Sequence, residues 1–224
     1  MSKPLIDFVI GGVQKAGTSA LAHYLGRQPG VALPENKEAH VFDDPRFDNS
    51  WTIERVDSEY AAHFPAPPHT GLHGDATPIY LFHPAFVQRI ARYNPGMKWI
   101  ITLRDPVDRA ISQFYMQHAR GQETLPLWAA LLAEPWRLSG KRNDLSGESS
   151  LRLHSYLARG RYRRQLAILY AHFPREHVLV LRSVDLLADP RHNHRVIVQG
   201  GLLATEAGQR LSEYFRRKRR RDPA

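Results

Sequence analysis

The segment that most constrains the fold is the apolar run Leu5-Ile6-Asp7-Phe8-Val9-Ile10, which ends on Gly11-Gly12 and leads into Val13-Gln14-Lys15-Ala16-Gly17-Thr18-Ser19. A short apolar run with β-branched members, stopped by turn residues, reads as a strand covered on both faces. Residues 18–27 then read as a helix, stopped by Pro29-Gly30. Strand, glycine-bearing loop and helix in that order gather backbone N–H groups and a helix amino end around one point, and that makes an anion site. Against the phosphate-loop pattern G-x4-G-K-[ST], Gly12 and Gly17 have the right spacing and Ser19 supplies the hydroxyl, but Thr18 stands where the lysine belongs. The cation is Lys15, inside the loop.

The rest of the chain repeats this alternation. Residues 98–103 and 178–181 are further apolar strand candidates, and 31–33 and 71–75 are weaker ones. Residues 52–64, 84–93 and 106–120 read as helices, the last two opening on Pro84 and Pro106. Residues 151–173 read as one long helix with a break at Gly160, and 137–150 as a loop or lid. Strands alternating with helices predict an α/β fold with a central parallel sheet flanked by helices. A chain of 224 residues can bury a core without disulfides or metals. One domain is expected over 1–215, followed by a basic tail at 216–224.

A second anion site is legible at residues 100–114. Arg104 ends a strand, Pro106 opens a helix, and Ser112 lies eight residues after the arginine. Arginine makes forked contacts with phosphate, so Arg104 and Ser112 could meet one phosphate together. Taken alone, Arg104 could equally pair with Asp105 or Asp108. With the first loop, it suits a nucleotide carrying phosphates at both ends.

Residues Gln14-Lys15-Ala16-Gly17-Thr18-Ser19-Ala20-Leu21 resemble the 5′-phosphosulfate loop of the 3′-phosphoadenosine 5′-phosphosulfate (PAPS)-dependent sulfotransferases. Arg104 and Ser112 are similar to that family's 3′-phosphate site. Within the family the chain resembles the heparan-sulfate branch and its bacterial relatives, over roughly residues 5–190. The resemblance implies PAPS as donor, 3′-phosphoadenosine 5′-phosphate as product, and no metal. It implies that Lys15 contacts the 5′-phosphosulfate and assists the leaving group, with Ala16, Gly17, Thr18 and Ser19 forming the cradle.

Asn36-Lys37-Glu38-Ala39-His40-Val41-Phe42 resembles the family's Lys-Glu-x-x-Phe-Phe segment, with Val41 in place of the first aromatic. The resemblance makes Glu38 the general base, with His40 in reserve. Lys37 either contacts the sulfuryl group or pairs with Glu38. Gly74-Asp75-Ala76-Thr77-Pro78-Ile79-Tyr80 is similar to a Gly-Glu-x-Ser-Pro-x-Tyr segment, which assigns Asp75 and Thr77 to site support or acceptor orientation. Residues 155–162 and 173–185 follow the family's late helix and strand. After Pro190 the family's basic, glycine-containing loop has no identifiable counterpart. Gly200-Gly201 or the terminal basic run is its candidate substitute, and residues 211–216 resemble the family's last helix.

Composition narrows the alternatives. The formal charge of +9 owes six cations to the run at residues 216–221; without them 25 cations face 22 acids. Such a run is a solvated tail, and no aromatic interleaving marks it for nucleic acid. The absence of cysteine excludes disulfide scaffolds, thiolate nucleophiles and cysteine-ligated metals. His192-Asn193-His194 has no third ligand at useful spacing. No apolar stretch reaches the ~20 residues that span a bilayer, and a cytoplasmic protein is expected.

The expected activity is therefore sulfuryl transfer from PAPS to a hydroxyl or amine. A phosphate-loop kinase or NTPase is the first alternative, but it needs a lysine where Thr18 stands and a magnesium-binding acid. A non-catalytic nucleotide- or RNA-binding protein is the second; it would bind polyanions with a steep salt dependence. The acceptor is not encoded in any motif. Carbohydrate and small-molecule hydroxyls and amines all remain open, with specificity assigned to Trp51 and the 137–150 loop.

Overall fold

A computed structural model describes residues 3–64 and 71–187. The terminal basic run, Gly200-Gly201, the segment at 211–216 and His192-Asn193-His194 lie outside the described residues.

Five strands form the sheet: β1 (Phe8–Gly12), β2 (Val31–Ala32), β3 (Leu72–Asp75), β4 (Lys98–Leu103) and β5 (Val178–Arg182). All pairs are parallel, in the order β2-β3-β1-β4-β5. Side chains alternate between the two faces, and both faces are apolar. Val9, Trp99 and Ile101 enter a core with Phe86, Ile90, Leu169 and Phe173. Phe8, Ile10 and Ile100 enter the other core with Leu21, Leu179, Leu181 and Leu186. Burial on both sides explains why the strands read as continuous apolar runs.

The helices are α1 (Thr18–Gly26), α2 (Ile53–Ala61), α3 (Pro84–Tyr93), α4 (Pro106–Ala119), α5 (Leu127–Leu138), α6 (Ser150–Leu153), α7 (Tyr162–His172) and α8 (Ser183–Leu187). Their starts follow local chemistry. Thr52 accepts from Arg55 N at the head of α2, and Asp105 accepts from Val107 N and Asp108 N at the head of α4.

Two sequence expectations are corrected. Residues 151–173 break at Gly160 as expected, but the part before the break is only the short α6 and a 3-10 turn at Ala158–Gly160. The buried Glu134 carboxylate takes the N–H groups of Leu157 and Ala158, at 2.6 and 2.7 Å. Ser155 Oγ and Arg159 draw on the carbonyl of Leu151. Groups that would continue a helical ladder are spent elsewhere. α5 is the second correction, a 12-residue helix absent from the sequence reading, with Pro135 inside it and with Trp128, Leu132 and Trp136 on its exposed face. Those features suppress the usual amphipathic signature.

Strand order reverses beside β1, with β2 and β3 on one side and β4 and β5 on the other. In open α/β sheets the crevice at the carboxyl ends of the strands, beside such a reversal, receives ligands. The loops that follow β1 and β4 carry Lys15 and Arg104.

Candidate active site

One half of the candidate site is built at the ends of β1 and β4. β1 shifts register against β4 between Ile10 and Gly12, a bulge that bends the strand end. Gly11 is required there for packing: a Cβ would lie 2.4 Å from the Trp99 ring. Gly17 serves a different need. It caps α1 at φ 88°, the left-handed region, and no side chain caps the helix. The first N–H groups of α1 thus remain free of side-chain partners at the loop.

Lys15 sits in the same left-handed region at φ 71°, where a non-glycine residue is uncommon. Arg104 Nη1 donates to the Lys15 carbonyl at 3.2 Å, so the two sequence-predicted cations are brought together. Asp105 is occupied as a helix cap, and Asp108 stands 4.0 Å from Arg104 with a side chain 62% exposed. The pairing alternative for Arg104 therefore reduces to a weak solvent-facing contact. Burial lowers the Lys15 pKa, and repulsion from Arg120 and Arg104 adds to it. Among the described residues no ion pair holds Lys15. Ala16 and Thr18 are buried in the loop, Ser19 is exposed, and Ser112 is half-buried on α4.

The second half is a hydrogen-bonded network around residues 37–43. Lys37 Nζ contacts Glu38 Oε1, and His40 Nε2 lies 3.1 Å from Glu38 Oε2. His40 Nδ1 lies 3.0 Å from Asp43 Oδ2. Burial disfavours the His40 imidazolium, but hydrogen bonds to Asp43 and Glu38 outweigh it and push the pKa up to about 10. Burial likewise works against the Glu38 carboxylate, yet hydrogen bonds from His40 and Lys37 bring its pKa below the usual glutamate value. Lys37 and His40 are both left-handed, at φ 56°. With Lys15, all three non-glycine residues of positive φ among the described residues lie in these two segments, as expected where backbone strain is held for function.

Asp75 and Thr77 are fully buried, so of the two roles expected for them the geometry favours site support over acceptor orientation. The Asp75 carboxylate accepts from Thr77 Oγ1 (2.7 Å), Tyr80 OH (2.7 Å), Tyr60 OH (2.9 Å) and Ala39 N (3.2 Å). Thr77 Oγ1 in turn accepts from His40 N at 3.3 Å. Burial raises the Asp75 pKa against those four donors. Asp75→Ala strands three buried hydroxyls and should lower the unfolding free energy by about 3 kcal/mol or more, read from urea titrations.

Three residues missed in the sequence complete the picture. Asp43, 1% exposed, also accepts from Arg152 Nη1 at 2.5 Å; its place three residues after His40 was the available signal. Arg152 and Arg159 gave none, because both sit in the part of the segment read as helix before the break at Gly160. Among the described residues no hydrogen bond joins the Lys15 loop directly to the Glu38 network; besides the sheet itself, one side-chain link runs through Arg159, which donates to Gln14 Oε1 at 2.9 Å and to the Arg152 carbonyl at 2.9 Å.

A family model described as a sulfotransferase domain matches residues 5–199. The membrane-associated sulfotransferase kil1 of Dictyostelium discoideum is 34% identical over 116 residues, covering 50% of this chain and 23% of that protein. Heparan sulfate glucosamine 3-O-sulfotransferase 6 of Homo sapiens is 29% identical over 182 residues, covering 81% of this chain and 48% of that protein. The chain thus spans about half or less of the length of these curated relatives. A crystal structure of a sulfotransferase from Alicyclobacillus acidocaldarius superposes with a TM-score of 0.68 at 31% identity, covering 85% of this chain and 77% of that one. The sulfotransferase domain of the curacin biosynthetic pathway shares the fold, with a TM-score of 0.51 at 15% identity over 85% of this chain and 71% of that one.

Proposed function

The chain belongs to the sulfotransferase domain family, and from that premise we propose that it moves a sulfuryl group from PAPS to a hydroxyl or amine of a carbohydrate or small-molecule acceptor. The observation that carries the donor assignment is the meeting of Lys15 and Arg104 through the 3.2 Å bond to the Lys15 carbonyl, in a cluster where Lys15 has cations for neighbours and no acid. A doubly phosphorylated nucleotide supplies the missing counter-charge at both points.

The reaction is an in-line displacement at sulfur. The acceptor heteroatom forms a bond to sulfur as the bond from sulfur to the 5′-phosphate oxygen breaks. Glu38 takes the acceptor proton, and Lys15 with the free N–H groups of α1 stabilises the charge that develops on the departing phosphate. Glu38 begins with both oxygens engaged, by Lys37 and His40. Each carboxylate oxygen keeps a second lone pair, so an acceptor O–H or N–H can reach Glu38 with Lys37 and His40 in place.

Sequence similarity to heparan sulfate 3-O-sulfotransferases supports a carbohydrate hydroxyl as the first acceptor to try. No described helix is long and apolar enough to cross a membrane. Titration calorimetry with 3′-phosphoadenosine 5′-phosphate, AMP and ATP tests the donor. Wild type should prefer the first, and Arg104→Ala should weaken it by about 10–100-fold, the worth of a hydrogen bond to a charged group, with AMP unaffected. Equal or tighter ATP binding, or indifference to Arg104→Ala, removes the donor assignment.

A further inference from the structure

Among the described residues three buried arginines form no ion pair, Arg89, Arg109 and Arg159. Arg159, 3% exposed, has every end of its guanidinium in use. It donates to Ser155 Oγ at 2.8 Å, to Gln14 Oε1 at 2.9 Å, and to the carbonyls of Arg152 and Leu151 at 2.9 and 3.4 Å. Its plane lies over the Phe82 ring, 4.6 Å from the centroid. Burial, with repulsion from Arg109 and Arg152, holds its pKa down to about 9.

Taking a cation out of water without a partner costs several kcal/mol, and an apolar side chain of similar volume is commonly as stable or more so. Packing alone therefore does not account for an arginine between Phe82 and the 151–155 turn. What the guanidinium joins does. One end holds Gln14, the neighbour of Lys15; the other holds the carbonyl of Arg152, whose side chain grips Asp43 behind His40 and Glu38. The same turn reaches the second phosphate element: Tyr162 OH donates to the Arg104 carbonyl at 2.9 Å, and a Cβ on Gly160 would stand 3.0 Å from Pro106.

We propose that Arg159 is a positioning residue that sets the spacing between the leaving-group cation Lys15 and the base Glu38, by holding the donor loop and the Arg152–Asp43 arm in one fork. The proposal rests on the sulfotransferase reading of the site. A guanidinium suits the task because its donors are rigid and coplanar. Lysine keeps the charge and loses the fork. In-line transfer is sensitive to such a fork, since about 1 Å of misplacement costs about 10²-fold in rate.

The test compares wild type, Arg159→Lys, Gln14→Ala and the double variant. Affinity for 3′-phosphoadenosine 5′-phosphate is measured by calorimetry. Turnover is measured with ³⁵S-labelled PAPS and whichever of heparan sulfate, its N-desulfated form and 4-nitrophenol the wild type sulfates. Each single variant should lose about 10²-fold in kcat while nucleotide Kd and acceptor KM stay within about threefold. The double variant should lose little beyond the worse single, because both cut the same link. Gln14 is half-buried in a loop, so Gln14→Ala keeps the test decisive if Arg159→Lys fails to fold. A folded Gln14→Ala enzyme with kcat within threefold of wild type overturns the clamp alone. So do losses that multiply in the double variant, or a Kd that weakens in step with kcat. A wild type that binds no 3′-phosphoadenosine 5′-phosphate overturns the sulfotransferase reading, and the clamp with it.

Discussion

Lys15→Ala should lower kcat for sulfuryl transfer by about 10²–10³-fold, the usual cost of removing one donor aimed at developing charge. The loss should fall on kcat rather than on nucleotide affinity. Charge on the 5′-phosphate grows as the bond to sulfur breaks, and an interaction stronger in the transition state than in the ground state accelerates the step. The backbone around Lys15 is already arranged for this: φ is 71°, and the Arg104 guanidinium fixes the carbonyl. Holding a non-glycine residue there costs on the order of 1–3 kcal/mol, which the surrounding fold must offset. Arg104→Ala should have its larger effect on binding, through the 3′-phosphate, with a smaller loss in kcat because the Lys15 carbonyl is released. Steady-state kinetics beside calorimetry separate the two. A Lys15→Ala enzyme that keeps kcat within threefold would remove Lys15 from the leaving-group role. Since burial and two arginines depress the Lys15 pKa, its charge begins to be lost at lower pH than for a free lysine. Wild-type turnover should decline on that alkaline side.

Much of this architecture was legible because burial on both faces writes itself into the sequence. The runs at residues 5–10, 98–103 and 178–181 had to be strands, and Pro84 and Pro106 marked the heads of α3 and α4 where the structure has them. The glycine loop after β1 and the arginine after β4 were readable as local patterns. Their meeting was not, because it depends on β1 and β4 being sheet neighbours, which no local pattern encodes. Glu38, His40 and Lys37 were found by resemblance, and their mutual contacts follow from a short loop with two left-handed residues. For Asp75 the sequence left site support and acceptor orientation both open: it shows an acid, and only packing shows three hydroxyls closed around it. Arg159 and Glu134 were invisible for a related reason. Both interrupt what periodicity reads as helix, through side-chain bonds to backbone groups that a hydrophobic pattern does not count.

Glu38→Gln should cost about 10²–10⁴-fold in turnover, the range for a lost general base, with nucleotide affinity unchanged. Its neighbours make a sharper test than the substitution itself. Both ring nitrogens of His40 face carboxylates, Nδ1 toward Asp43 at 3.0 Å and Nε2 toward Glu38 at 3.1 Å. A neutral imidazole would turn a lone pair toward one of them. The ring is therefore an imidazolium, in keeping with a pKa pushed from 6.5 up to about 10. A histidine pKa raised by folding contributes stability that is complete below the unfolded value of 6.5 and is lost as pH rises through about 10. Glu38 has the opposite sign: its lowered pKa makes its contribution present above 4.5 and lost as pH falls through the folded value. Turnover in the wild type should be flat across neutral pH, bounded below by Glu38 and above by His40 and Lys15. Asp43→Asn removes one of the two carboxylates that hold the proton. The alkaline edge should then move from about 10 toward 6.5, so that the variant works at pH 6 and has lost most turnover at pH 9. His40→Gln supplies the control, since Asp43→Asn in that background has no histidine to titrate and should add no new edge. An Asp43→Asn profile that keeps the wild-type edges would show that turnover does not depend on His40 staying protonated. A Glu38→Gln enzyme that turns over normally would take the proton from Glu38 altogether.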